Sequence, residues 1–167
     1  MSNSDQIDEI KEEIKEKAAN EFAAFINATA NHIRVGNDVS QKSGVPNGRS
    51  MFETELKQDG KMGPKYTVPE RENDRYWAAV KSAAPAEKAL TEKAEGILNE
   101  YGLNGKEDLR VKQDEITGHK ILNRLYSDAV SMAEAIVRAE KALQKGNAST
   151  TVPPAALPDE PQEKRQR

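Results

Sequence analysis

Cysteine is absent from the 167 residues of this chain. That absence removes disulfides, thiolate metal ligands and cysteine nucleophiles together. Histidine occurs only twice, at His32 and His119. No HExxH or ExxH pair exists, so a zinc site would have to be assembled from scattered carboxylates. A Ser-His-Asp arrangement needs a positioned base, and two histidines make one a poor expectation. Aromatic residues are few: Phe22, Phe25, Phe52, Tyr66, Tyr76, Trp77, Tyr101 and Tyr126. So lean a set fills a narrow helical seam better than a thick two-layer core. No apolar run approaches the ~18 residues that a membrane span needs. The first residues, Met1-Ser2-Asn3-Ser4-Asp5, are polar and acidic and lack the apolar core of a signal peptide. The expected location is therefore cytoplasmic, or within a virion if the chain is virus-encoded. No membrane partner is expected.

An excess of basic charge is also lacking. The net charge is −3. Residues 35–81, the most basic stretch, set eight basic side chains against seven acidic ones. Sequence-independent nucleic-acid binding normally needs more than that.

What the chain does have is helical periodicity. Leu122, Leu125, Ala129, Met132, Ile136, Ala139 and Leu143 repeat at alternating spacings of three and four. This heptad averages about 3.5 residues per turn and forms a packing seam along one side of a helix. Val130, Ala133, Ala135 and Val137 widen the apolar surface. It becomes too broad for a two-stranded coil and suits a central helix covered on several sides.

Residues 5–34 form one long helix capped by Ser4, with an apolar stripe of Ile7, Ile14, Ala18, Phe22, Phe25 and Ile33, widened by Ile10 and Ile26. Its charged first part, 5–17, projects or pairs with another chain, while Phe22–Ile33 docks in the core. Gly36-Asn37-Asp38 ends it. Residues 36–72 form a long loop with turn signals at Val45-Pro46-Asn47-Gly48 and Asp59-Gly60. A hairpin around Asp59-Gly60 competes there with a short helical turn, because Pro64 spoils the return strand. A second helix starts at Asn73 or Asp74, with Tyr76, Trp77, Val80 and Ala84 on one face. Pro85 kinks it or opens a new first turn. The stripe continues through Ala86, Leu90, Ala94, Ile97 and Tyr101. Gly102 stops it in a left-handed conformation, with Leu98 and Leu103 in the accompanying contact. Asn104-Gly105-Lys106-Glu107 starts the third helix, with Gly118 as a kink or separator and Gly146 as its end. The tail, 147–167, holds Pro153, Pro154, Pro158 and Pro161 and is expected to be disordered.

The expected architecture is all-α. It is a three-helix bundle or helical hairpin with an extended N-terminal helix, a long irregular insertion after helix 1, and a single domain over 1–146.

The best candidate binding segment interleaves cations with aromatics: Arg49, Lys61, Lys65, Tyr66, Arg71, Arg75, Tyr76 and Trp77. Such a set can stack bases and hold phosphates. The stronger reading is structural, with Tyr76 and Trp77 anchoring the loop, because Trp77 falls on a helical stripe. Glu115 and His119 stand four apart and read as a surface pair. Gly44-Val45-Pro46-Asn47-Gly48-Arg49-Ser50 lacks the spacing and preceding strand of a phosphate loop. No catalytic, cofactor-binding or metal residue is assigned. The expected function is that of a non-enzymatic helical interaction or assembly protein with a protein partner, self-associating as a homo-oligomer. The alternative is a nucleic-acid-associated accessory protein using residues 49–77. A third possibility is an enzyme or ligand-sequestering protein with a pocket around His119 and Tyr126.

Overall fold

The structure, a computed structural model, describes residues 2–105 and 115–150, the side chains of Arg49 and of 146–150 excepted. Five helices account for most of it: α1 (Asn3–Lys17), α2 (Ala19–Ser43), α3 (Glu70–Ser82), α4 (Ala84–Glu100) and α5 (Gly118–Thr150). A 3-10 turn (Gly48–Phe52) and a two-stranded hairpin, β1 (Thr54–Leu56) and β2 (Met62–Pro64), lie between α2 and α3. Mostly helical structure with little sheet agrees with the all-α expectation. The expected helix start at Asn104–Glu107 lies outside the described residues from 106 onward, and so does the expected tail beyond Thr150.

The chain divides into a main unit, residues 1–134, and a second unit that begins at Ala135. In the second unit, the described residues are the distal part of α5. Among the described residues, no helix is long and apolar enough to cross a membrane.

The first helix differs from the expectation at both ends and in the middle. Its cap is Ser2, not Ser4: Ser2 Oγ accepts from the Asp5 N–H at 3.1 Å, and Asp5 reaches back to the Ser2 N–H. These two bonds satisfy orphan donors at both ends of one turn. A break at Ala18 (φ −112°, ψ 37°) separates α1 from α2. Neither glycine nor proline causes it. At the far end, α2 runs through Gly36-Asn37-Asp38 to Ser43 and stops at left-handed Gly44. Gly36 serves packing instead of termination: a Cβ there would lie 3.1 Å from Asn47 Oδ1 and 3.5 Å from the Tyr76 ring.

The 36–72 segment is more ordered than a long loop. Thr54 pairs with Pro64, Glu55 with Gly63 and Leu56 with Met62. The ladder bonds on either side run from the Lys65 N–H to the Glu53 carbonyl (2.8 Å) and from the Lys57 N–H to the Lys61 carbonyl (2.9 Å). Pro64 therefore occupies a non-hydrogen-bonded pair, where a missing N–H costs the ladder nothing. Gly60, at φ 80°, supplies the turn.

α3 begins at Glu70, directly after Pro69, three residues before the expected cap. Pro85 sits in the first turn of α4, where its missing N–H is unneeded. Gly102 (φ 74°) ends that helix with both bonds of the expected stop: its own N–H to Asn99 and the Leu103 N–H to Leu98, each 3.0 Å. Thr117 Oγ1 accepts from the Lys120 N–H and caps α5, which continues past Gly146 to Thr150.

Candidate functional site

The basic-aromatic segment does not form one site. Tyr76 is buried in a small cluster with Val39 and Met51, flanked by Val35, Val45, Phe52, Val68 and Val80. Its ring packs edge-on against His32 (5.3 Å between centroids) and tilted against Phe52 (5.1 Å). Trp77 remains 44% exposed, lies against Phe52 at 5.2 Å, and donates its Nε1–H to Asn73 Oδ1 at 3.1 Å. Tyr76 therefore belongs to the core, and Trp77 closes its rim.

The cations are dispersed, and several are paired. Arg75 bridges Asp38 (2.7 Å) and Glu72 (2.5 Å), joining α3 to α2. Hydrogen bonds from Arg75 and Lys42 hold the Asp38 carboxyl below its ordinary range. Lys65 lies 3.6 Å from Glu53 and over the Tyr66 ring at 5.5 Å, and both neighbours raise its pKa. Lys61 and Arg71 are exposed on different elements, the hairpin end and the first turn of α3. Arg49 lies in the 3-10 turn. An open cleft of about 440 Å³ lies beside this cluster, lined by His32, Ile33, Gly36, Asn47, Gly48 and Tyr76. Burial pushes the His32 pKa below 6.5. Among the described side chains, none of the predicted cations lines that cleft. His119 faces Asn123 at 3.1 Å. Tyr126 joins the Thr91 hydroxyl and packs edge-on against Phe25 at 5.9 Å. Among the described residues, no group of three or more His, Asp or Glu side chains is placed to hold a metal ion.

The predicted packing seam divides. Leu122, Leu125 and Ala129 are buried, but Met132 (47%), Ile136 (37%) and Leu143 (68%) are exposed, and so is Ala139. The buried positions instead run Leu122, Leu125, Ala129, Ala133, Val137. That stripe advances about 3.75 residues per turn, close to the natural period of a straight helix, whereas a heptad drifts the other way. The two paths part company at Met132. Beyond it, the heptad continues in the second unit through Ile136, Ala139 and Leu143, with Ala135 and Ala142 also exposed.

The charged first helix also behaves unexpectedly. Residues 5–17 do not project: Ile7, Ile10 and Ile14 are buried, Ile14 completely. Lys11 and Lys15 both reach Asp128 on α5, at 2.8 and 2.6 Å. Arg124 lies 3.1 Å from Asp8, and the Tyr101 hydroxyl donates to Glu13. Burial opposes ionisation of Asp128, but hydrogen bonds from Lys11 and Lys15 outweigh it and lower its pKa. Arg124 does the same for Asp8. Sequence reasoning missed Asp128 as an anchor because a lone aspartate carries no signal of which cation will meet it.

One apolar feature on the hairpin was also missed. Leu56 and Met62 form a directly opposed pair and are 70% and 64% exposed. The Asp59-Gly60 turn was its one visible sign. The chain matches no protein-family model, and no curated protein or solved structure is similar to it.

Proposed function

We propose that this is a non-enzymatic helical assembly protein that self-associates and binds a macromolecular partner. Its helices form a small bundle whose distal α5 face is the contact. The observation that carries the reading is the exposed continuation of the heptad through Ile136, Ala139 and Leu143. A repeat of period 3.5 is what two helices need to stay in register. The single chain buries Leu122, Leu125 and Ala129 but then follows a different stripe, which leaves the heptad positions from Met132 onward exposed in one copy. Alanines at 135, 139 and 142 permit close approach of a second helix.

Sedimentation of the full chain across a wide concentration range tests this. The expected result is a concentration-dependent dimer or larger species that Ile136→Glu together with Leu143→Glu dissociates. A compact monomer at all concentrations would falsify it. The nucleic-acid alternative makes a separate claim: binding that weakens steeply with salt and with loss of Arg71 or Lys61.

A further inference from the structure

We propose that two copies of this chain exchange their α1 helices about Ala18. Each α1 would then take, on the other copy, the seat that it occupies here on its own. The inference rests on the self-association reading and names a second surface for it.

The first observation is the nature of the break. Lys15-Glu16-Lys17-Ala18-Ala19 contains only strong helix formers. Just one residue leaves the helical conformation. The Ala18 N–H still bonds to Ile14 and the Phe22 N–H to Ala18, both at 2.8 Å, so helix resumes at once on either side. Nothing local requires the chain to bend there.

The second observation is the size of the bend. Lys15 meets Asp128, while Phe25 packs on Tyr126, two positions earlier on α5. Asp8 and Ser4 meet Arg124, within the same short stretch. In a straight helix, Ser4 and Phe25 stand about 30 Å apart along the axis. Their convergence on five residues of α5 requires the chain to turn sharply at Ala18.

The third observation is the seat. It buries Ile7, Ile10 and Ile14 and holds α1 through Arg124, Asp128 and Tyr101. Every one of those partners lies outside α1 and α2, so a second copy supplies the same set. Returning Ala18 to helical angles merges α1 and α2 into one helix from Asn3 to Ser43, about 60 Å long. The seats then refill reciprocally, as a two-fold exchange requires. The contacts are unchanged, the helical hydrogen bonds lost at the bend are regained, and the opposing term is the entropy of association. Exchange should therefore rise with concentration.

A cysteine-free chain makes the test direct. Glu9→Cys and Gln41→Cys place spin labels at exposed positions on α1 and α2. Diluting labelled protein with unlabelled full-length chain leaves only distances within one copy. The expected result is a distance of about 48 Å in the dimer fraction, from 1.5 Å per residue, and a shorter one in the monomer. Ala18→Gly disfavours the straight helix and should weaken the exchanged dimer about fivefold per chain. A dimer that keeps the monomer's short distance overturns exchange and leaves assembly through α5 standing. A chain that never dimerises overturns both.

Discussion

α1 and the distal part of α5 reverse what their compositions suggest. α1 is dense in charge, yet its three isoleucines are buried and two of its lysines, Lys11 and Lys15, are bound to α5. The distal α5 is rich in alanine, isoleucine and leucine, yet Ile136 and Leu143 face solvent. Polarity averaged over a helix therefore does not decide whether it packs. A helix packs when one stripe is apolar and the flanking charges find partners beside the seat. α1 meets both conditions within one copy, whereas the distal α5 leaves its heptad positions Ile136 and Leu143 exposed.

The sharpest way to break this contrast is to exchange its two isoleucines for smaller residues. Ile14→Ala should cost about 2–5 kcal/mol, because its site is completely enclosed. Ile136→Ala should change the stability of the monomer by less than about 0.5 kcal/mol. Urea unfolding of both variants at low protein concentration compares them directly. Equal losses would show that the distal α5 face is covered after all.

The charged ties come next in size. Asp128→Asn removes the anchor of both Lys11 and Lys15. Because these side chains keep partial solvent access, the expected loss is only about 1 kcal/mol, shrinking as salt rises. A loss that is independent of salt would mean that Asp128 acts through packing instead. The pH dependence follows from the same group. The folded pKa of Asp128 lies below its ordinary value of 3.8. Its stabilising contribution is thus complete above that value and is lost as pH falls through the lower, folded one. Acid should loosen α1 before it affects the Gly102 stop, a difference readable by amide exchange.

The smallest predicted effect concerns the Tyr76 cluster. Burial lowers the His32 pKa below 6.5, so the folded state binds fewer protons than the unfolded one in that window. Stability should fall as pH drops below 6.5. His32→Gln should flatten this slope, while Ile136→Ala should leave it unchanged. Thermal unfolding between pH 7.5 and pH 5.5, values chosen to bracket about 6.5, checks both.

Much of the fold was legible in local patterns. The Gly102 stop with Leu98 and Leu103 appeared as expected, because a left-handed glycine and its two hydrogen bonds depend on six neighbouring residues. Pro85 opening a helix was one of two readings and needs only its fixed φ. Tyr76 as an anchor followed from helical spacing. Less visible were Pro64 in a strand, which depends on which pairs carry hydrogen bonds, and the run of α2 through Gly36, where tight packing against Asn47 and Tyr76 makes glycine useful inside a helix.

By itself, the sequence determined that the chain is mostly helical, that Gly102 stops a helix, and which stripes are apolar enough to bury. Those properties come from spacing and from backbone preferences within a few residues. Only the tertiary structure decided that the first helix bends at Ala18, that Asp128 collects two lysines, and that the buried stripe of α5 leaves the heptad at Met132. Each depends on residues far apart in the chain meeting in space. A helix former continues or breaks, and a leucine is covered or left bare, according to what the rest of the molecule sets against it.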